Sequence, residues 1–215
     1  MLVESALAWY RARGGGEVRA IDLCTGTGCI AISLQLGFRA VARPAGAGCR
    51  PLQSSEGAPV ASRGTLHRVV ATDIVRDAVD LARSNAVRLG AEVEFLVGDM
   101  WDAVDGVESL GGGPFDLVVS NPPYVTDAEY GALDRNVRDF EPATALRGGE
   151  DGLCFIRKVV DGAPSRLRSG GLLLVEIGWK HGADSLRLVS GPEWRDASVI
   201  KDGDGIDRVL RAVRA

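Results

Sequence analysis

Four consecutive residues, Asn121-Pro122-Pro123-Tyr124, follow an apolar run at 115–120 and are the most specific chemical feature of the sequence. Neither proline can donate a backbone hydrogen bond, and together they fix a rigid turn. Asn121 has a side-chain carbonyl acceptor, Pro122 a backbone carbonyl acceptor, and Tyr124 a flat aromatic face. Two acceptors beside an aromatic ring are suited to bind a planar NH₂ group. A plain strand-terminating turn is the alternative interpretation.

A glycine-containing turn after the apolar run 18–23 is a second candidate binding element. Gly26 and Gly28 can adopt positive φ and allow a ligand close to the backbone. The helix predicted from residue 30 would offer unpaired N–H groups to an anion. Read from Gly26 through Gly28 to Ala31, the turn satisfies a loose G-x-G-x-x-A fingerprint. The match predicts a nucleoside or anion site without identifying the ligand, and a turn that binds nothing is the alternative.

Carboxylates stand at the ends of three predicted strands, as Asp22, Asp73 and Asp99. Ligands of open α/β sheets bind outside the carboxyl ends of the strands. An acid after the second strand can accept the hydroxyls of a ribose, and residues after the third can border an adenine. Each acid alone could instead be a turn residue or a helix cap. Together with the glycine turn, the three acids predict a nucleoside pocket.

These residues must be positioned by elements that alternate along the chain between short apolar runs and helical periodicity. Such alternation predicts βαβ units and a doubly wound, mostly parallel α/β sheet. The predicted helices are 2–12, 30–36, 76–89, 153–167 and 183–189, with Pro164 ending or bending the fourth. The predicted strands are 18–23, 69–72, 93–97, 115–120, 172–177, 197–201 and 208–213.

Composition excludes several classes of protein. The chain has 215 residues, which suits a single domain over 1–215. A net charge of −4 argues against a general nucleic-acid binder. Apolar runs are too short for a membrane span, and Met1–Arg13 lacks the pattern of a signal peptide. The spacing of cysteines and histidines predicts that there is no metal site. It also predicts that the thiols are reduced, as inside a cell. We expect His67 and His181 to have packing or surface roles. The cysteines are Cys24, Cys29, Cys49 and Cys154.

Residues 43–64 do not fit the alternating pattern. Of these 22 residues, 14 are Gly, Pro, Ala or Ser. Such a composition is typical of a flexible surface insertion, although a binding loop is an alternative. We expect the segment to be dispensable, because it cannot bury enough apolar surface to offset the entropy of ordering it.

The tetrad, the glycine turn and the acid series together resemble S-adenosylmethionine-dependent amino-methyltransferases with an (Asn/Asp)-Pro-Pro-(Tyr/Phe) motif. Four further segments narrow the resemblance to the release-factor glutamine methyltransferases, the HemK/PrmC family. These are FEPATAL at 140–146, GGEDGL at 148–153, LLVEIG at 173–178 and DGIDRV at 204–209. The resemblance covers nearly the whole chain except the insertion.

This resemblance implies a Rossmann-like class I methyltransferase fold, with a seven-stranded sheet whose last strand is antiparallel. It also implies S-adenosylmethionine as the cofactor. The methionine part would face Thr25–Gly28, Asp73 would hold the ribose, and Asp99 and Met100 would border the adenine. The implied cofactor-binding residues are Asp22, Cys24, Thr25, Gly26, Thr27, Gly28, Asp73, Asp99, Met100 and Asn121.

The substrate implied by the resemblance is the glutamine of the Gly-Gly-Gln motif in a class 1 peptide chain release factor. Asn121 and the Pro122 carbonyl would accept hydrogen bonds from its NH₂ group, and Tyr124 would pack against the amide plane. Asn121, Pro122 and Tyr124 would thus be catalytic, and with Pro123 they would bind the substrate. The resemblance further implies a monomer that needs no metal and acts inside the cell, in the cytoplasm or in mitochondria.

Two departures from the family keep other functions open. Family members usually carry an N-terminal helical domain that this chain is expected to lack, and they usually have glycine where Cys24 stands. One alternative is an amino-methyltransferase acting on adenine in DNA or RNA, whose exocyclic amine presents the same NH₂ group. The other is a cofactor-binding remnant that has lost its activity.

Overall fold

The computed structural model describes residues 1–42, 67–105, 107 and 113–215. The predicted insertion at 43–64 lies outside the described residues. Within the described ranges, strands and helices alternate as the sequence pattern predicts.

Seven strands form one sheet in the order β3-β2-β1-β4-β5-β7-β6. The neighbours from β3 to β5 pair in parallel, whereas β7 runs antiparallel to both β5 and β6. The predicted fold class, including the antiparallel last strand, is confirmed. The strands are β1 (Arg19–Leu23), β2 (Arg68–Asp73), β3 (Val93–Val97), β4 (Phe115–Ser120), β5 (Leu167–Glu176), β6 (Trp194–Lys201) and β7 (Asp207–Arg214).

All five predicted helices are present; those predicted at 2–12 and 76–89 have the predicted ends, and the other three have altered ends. The fourth ends at Gly162 rather than 167, because Pro164 cannot continue a helix and the chain enters β5 at Leu167. Three short helices between 127 and 146 were not predicted, because each is too short to show helical periodicity. The helices are α1 (Leu2–Ala12), α2 (Cys29–Ala42), α3 (Arg76–Leu89), α4 (Asp127–Ala132), α5 (Arg135–Phe140), α6 (Ala143–Leu146), α7 (Cys154–Gly162) and α8 (Gly182–Leu188).

The sheet buries both faces. Successive strand residues point to opposite sides, so Leu172 and Leu174 pack with α1, α2 and α3, whereas Leu173 and Val175 pack with α7. Central strands buried on both faces read as continuous apolar runs, which is why they were found from the sequence. No helix in the described part of the chain is both long and apolar enough to cross a membrane.

An aromatic cluster joins α1 to α2 beneath the sheet. The rings of Tyr10 and Phe38 have centroids 5.0 Å apart, and the ring of His67 lies 5.4 Å from each of them. The Tyr10 hydroxyl donates a hydrogen bond to the Gly16 carbonyl at 3.1 Å. Burial lowers the pKa of His67, so a neutral imidazole fills this site. The predicted packing role of His67 is confirmed.

We expect Phe38→Ala to lower the free energy of unfolding by about 3–5 kcal/mol, because it removes a fully buried ring and leaves a cavity. Urea unfolding at neutral pH would measure the loss. Val87→Ala is the matched control, since Val87 on α3 is 82% exposed. Equal losses in the two variants would contradict this account of the core.

Candidate active site

The register of three parallel strands brings the predicted site residues to one edge of the sheet. Leu23, at the end of β1, pairs with Thr72 of β2 on one side and with Ser120 of β4 on the other. The glycine turn, Asp73 and Asn121 come directly after these three residues. Since Asp73 pairs with Val97 of β3, Asp99 and Met100 follow at the same edge.

The glycine turn is shaped by backbone that favours glycine. Gly26 and Gly28 have φ of 56° and 84°. A Cβ added to Gly28 would lie 3.0 Å from Ala82 Cβ and 3.3 Å from Phe95 Cε1, so glycine lets α2 start close to α3 and β3. A Cβ added to Gly26 would meet no atom within 4 Å. Gly28 therefore serves packing, whereas Gly26 borders open space that a ligand can occupy.

Asp22 holds this turn from beneath. Its carboxylate is fully buried, and Oδ2 accepts hydrogen bonds from Thr25 Oγ1 at 2.6 Å and from the Ala31 backbone N–H at 3.1 Å. Burial raises the pKa of Asp22 to about 7, against the opposing effect of these two hydrogen bonds. The bonds of Asp22 thus go to the turn and to the first residues of α2. Its direct contact with a cofactor stays a prediction.

Cys24 stands where the family's usual glycine is expected, and its φ of 58° explains that preference. Burial raises the pKa of the Cys24 thiol to about 12, and the carboxylates of Asp73 and Asp22 act in the same direction. The thiol is therefore neutral at physiological pH. It has none of the thiolate character that a nucleophilic cysteine needs.

Asp73 connects the glycine turn to the start of α3. Its Oδ2 accepts a hydrogen bond from the Gly26 N–H at 2.8 Å, and its Oδ1 accepts one from the Val75 N–H at 2.9 Å. Asp73 is not the N-cap of α3, since Val75 occupies that position. Each carboxylate oxygen has capacity for a further hydrogen bond, so the half-buried side chain can still receive ribose hydroxyls.

The residues after β3 form a short 3-10 helix, Met100–Ala103. Met100 is buried with a φ of 45°. Asp99 Oδ2 accepts a hydrogen bond from Lys158 Nζ at 2.9 Å, and both side chains are partly exposed. Trp101 is buried and donates from Nε1 to the Lys158 carbonyl at 3.0 Å. Lys158 thus ties this segment to α7.

The tetrad leaves β4 beside the glycine turn. Ser120 Oγ donates a hydrogen bond to the Leu23 carbonyl at 2.8 Å, which joins the ends of β4 and β1. Pro122 and Pro123 are buried, and Tyr124 is half-buried. Asn121 is exposed, and its side-chain amide makes no hydrogen bond within the described part of the chain. Its carbonyl oxygen is consequently available to a ligand.

The chain beyond the tetrad is held by the segment 146–149. The Val125 N–H donates to the Leu146 carbonyl at 2.9 Å, and the Gly148 N–H donates to the Val125 carbonyl at 2.7 Å. A Cβ on Gly148 would lie 2.7 Å from Tyr124 Cα, so only glycine allows this approach. The first glycine of the GGEDGL motif is therefore needed for the close packing of this segment against the tetrad.

Two residues that sequence reasoning left unassigned to the site support Tyr124. Its hydroxyl lies 3.5 Å from Glu176 Oε1 at the end of β5, and burial raises the pKa of both groups. The His181 ring lies near Tyr124, with Gly178 next to both rings. A Cβ added to Gly178 would lie 2.8 Å from His181 Nδ1 and 3.3 Å from Tyr124 Cδ2. The packing role expected of His181 is confirmed, although it lies against the tetrad. Glu176 and Gly178 belong to the LLVEIG motif, which was the feature of the sequence that could have indicated their place in the site.

No group of three or more metal-binding side chains occurs among the residues that the structure describes. Of the cysteines described, Cys24, Cys29 and Cys154 are free. The arrangement thus combines a glycine turn open to a ligand, a carboxylate beside it and an unpaired amide acceptor on a rigid turn. It can bind a nucleoside next to a planar NH₂ group.

The sequence of the chain is similar to those of known methyltransferases. A family model described as "Methyltransferase small domain" matches residues 46–139. The chain is 38% identical over 197 residues to a release factor glutamine methyltransferase of Bacteroides thetaiotaomicron, covering 91% of this chain and 60% of the relative. It is 35% identical over 210 residues to one from Geobacter sulfurreducens, covering 98% of this chain and 61% of the relative.

Solved structures show the same fold at low sequence identity. A ribosomal protein L11 methylase from Lactobacillus delbrueckii superposes with a TM-score of 0.58 at 18% identity, covering 99% of this chain and 77% of that one. A methyltransferase from Pyrococcus furiosus superposes with a TM-score of 0.56 at 17% identity, covering 99% and 83%. The fold is that of the class I methyltransferases.

By sequence, the chain is similar to release factor glutamine methyltransferases over 91–98% of its own length. It spans about three-fifths of the length of the curated relatives it matches.

We expect Asp22→Asn to change how stability depends on pH. Because the pKa of Asp22 is raised in the folded state, the native protein holds a proton that the unfolded chain loses near pH 4. The contribution of Asp22 to the free energy of unfolding therefore falls as the pH rises from about 4 to about 7. Asparagine keeps an oxygen acceptor and cannot ionise. The unfolding free energy of the variant minus that of the wild type should therefore rise between about pH 4 and pH 7 in urea titrations.

Asp77→Asn, at an exposed position in the first turn of α3, controls for the loss of one negative charge. A difference that is flat with pH for Asp22→Asn, or matched by Asp77→Asn, would contradict the burial of an unpaired carboxylate oxygen at this turn.

Proposed function

We propose that the chain transfers a methyl group from S-adenosylmethionine to the side-chain amide nitrogen of the glutamine in the Gly-Gly-Gln motif of a class 1 release factor. The observation that carries the proposal is the unpaired amide of Asn121, on a turn made rigid by two buried prolines, beside the glycine turn of β1. The similarity to release factor glutamine methyltransferases supports the choice of a glutamine amide as acceptor.

The residues of this edge fit an S-adenosylmethionine molecule. Gly26 borders open space, and Asp73 has unused acceptor capacity suited to two ribose hydroxyls. Thr25–Gly28 would hold the methionine part, and Asp99 and Met100 would border the adenine. When bound, the cofactor supplies a methyl carbon on a positively charged sulfur.

Residues of the chain would compensate for the poor nucleophilicity of the glutamine amide nitrogen. The lone pair of an amide nitrogen is delocalised, so it must be turned toward the methyl carbon. Hydrogen bonds from the NH₂ group to Asn121 Oδ1 and to the Pro122 carbonyl would fix that orientation. They would also stabilise the positive charge that develops on the nitrogen. Alignment of this kind contributes roughly 7–11 kcal/mol in favourable cases.

The reaction asks for little proton chemistry from the protein. A proton on a methylated amide cation is very acidic, so it leaves without a strong general base. Tyr124 would pack its ring against the amide plane, and its hydroxyl is directed toward Glu176. This contact holds the ring in place beside the acceptor. We expect the enzyme to act as a monomer inside the cell, in the cytoplasm or in mitochondria.

The same NH₂ receptor would fit the exocyclic amine of adenine in DNA or RNA. That substrate requires base extrusion and a positively charged path for the phosphate backbone. The net charge of −4 does not favour such a path. Adenine methylation and a cofactor-binding remnant without activity are therefore the competing outcomes of the test below.

We expect Asn121→Ala to reduce kcat for release-factor methylation at least 100-fold while leaving cofactor affinity within a few fold. The lost acceptor acts chiefly in the transition state, and an exposed side chain at a strand end contributes little packing. Transfer of radiolabelled methyl groups would be measured on a release factor with Gly-Gly-Gln and on an adenine-containing oligonucleotide.

Methylation of the glutamine alone supports the proposal, and methylation of adenine alone supports the nucleic-acid enzyme. A wild type that binds cofactor tightly and methylates neither substrate supports the inactive remnant. An Asn121→Ala variant with undiminished kcat would overturn the assigned role of this residue.

We expect Asp73→Ala to weaken cofactor binding by roughly 1.5–3 kcal/mol, because charge-assisted hydrogen bonds to ribose are lost. Isothermal calorimetry with S-adenosylmethionine would measure the change. Asp77→Ala, an exposed acid on the following helix, is the control. Thermal unfolding without cofactor would separate this loss from a loosened turn, since Asp73 also binds the Gly26 N–H. Unchanged affinity would contradict the ribose assignment.

A further inference from the structure

A cavity of about 370 Å³ lies beside the tetrad, on the side toward the end of β5. We call it the Trp179 cavity. It is bounded by Tyr124 and Val125, by the C-terminal end of α4, and by the segment 178–181. Cavities of roughly 300–1,000 Å³ are the size that ligand groups occupy. Because Tyr124 belongs both to the tetrad and to the wall, the cavity adjoins the proposed acceptor site.

The wall of the Trp179 cavity is mainly apolar. Val125, Ala132 and Leu133 contribute aliphatic surface, and Tyr124 and Trp179 contribute rings. The Trp179 side chain is 60% exposed. Exposed tryptophan next to a cavity is typical of a surface that contacts a partner, since tryptophan is enriched where binding energy is concentrated. The cavity therefore favours an apolar group.

Charge at the rim is already paired. Lys180 Nζ lies 2.8 Å from Glu129 Oε1 and 4.7 Å from the centroid of the Trp179 ring. Among the described lining residues, Lys180 is the cation with a fixed charge, and this ion pair neutralises it. A nucleic-acid backbone would need unpaired cations here, whereas an uncharged part of a polypeptide does not. The rim thus favours a protein ligand.

The cavity is preformed by contacts within the chain. Thr126 Oγ1 accepts a hydrogen bond from the Glu129 N–H at 3.1 Å and caps the start of α4. The Lys180–Glu129 pair then joins α4 to the segment after β5. His181 is buried at the base of this segment. A pocket with fixed walls loses little entropy when it binds a side chain.

We propose that the Trp179 cavity binds an apolar side chain of the protein substrate, from the few residues that follow the acceptor glutamine. This inference rests on the proposed function. The two residues before that glutamine are glycines and have no side chain to place in a cavity. A residue after it is within reach, because each extended residue spans about 3.3–3.6 Å. The cavity would thus select the sequence around the methylated glutamine.

Ala132→Trp tests the inference by filling the cavity from an exposed position on α4, where a larger side chain does not disturb the core. We expect KM for the release factor to rise about tenfold, the effect of losing one buried apolar contact, with kcat within twofold and cofactor affinity unchanged. Gly131→Ala is the matched control, since a Cβ there would meet no atom within 4 Å. Trp179→Ala, which removes the ring from the cavity wall, should raise KM in the same way.

A second substrate series makes the test specific. Each apolar residue within four positions after the glutamine of the release factor is replaced by alanine in turn. One of these replacements should raise KM for the wild type about tenfold and have little further effect on Ala132→Trp, because both changes remove the same contact.

An unchanged KM in Ala132→Trp would overturn the proposed role of the cavity while leaving the proposed function intact. So would additive effects on KM when Ala132→Trp is combined with each of the alanine-substituted release factors. A loss of kcat or of cofactor affinity in Ala132→Trp would also overturn it, because the change would then act on the tetrad. A wild type that methylates no glutamine would overturn both proposals.

Discussion

Leu23 pairs with Thr72 on one side and with Ser120 on the other, and the whole candidate site depends on this register. Three chemically different segments leave the sheet at one level because parallel strands align their carboxyl ends. The Ser120 hydroxyl then donates to the Leu23 carbonyl. This bond fixes the start of the tetrad relative to the glycine turn, so that the proposed cofactor and acceptor sites share one edge.

The carboxylates at this edge of the sheet differ in how deeply they are buried, and burial determines which atoms they can contact. Asp22 is fully buried and binds atoms of its own turn, whereas the half-buried Asp73 keeps acceptor capacity toward solvent. Both carboxylates act with burial to raise the pKa of the Cys24 thiol, which is neutral. A fully buried acid and a half-buried acid therefore stand at the ends of neighbouring strands, although the sequence gives both the same appearance.

The acceptor side is rigid for a different reason. Proline fixes the turn locally, but Tyr124 is placed by residues far along the chain: Gly148 packs against its backbone, and Glu176 lies at its hydroxyl. Rigid placement suits a reaction whose rate depends on aligning a weak nucleophile. The same contacts leave the Trp179 cavity open next to the tetrad, which would link the proposed methyl transfer to recognition of the surrounding polypeptide.

The seven strands and the placement of Asp22, Asp73, Asp99 and Asn121 at strand ends could be predicted from the sequence, because apolar runs and their turns are local signals. The end of α7 was missed by a few residues, and the short helices from 127 to 146 were not found, since neither has a strong local period. The burial of Asp22, the approach of Glu176 and His181 to Tyr124, and the cavity were decided only by tertiary structure. The contacts around Tyr124 and the cavity join residues about 50 positions apart, and the packing of β5 beside β4 brings them together. Asp22 lies on β1 between β2 and β4.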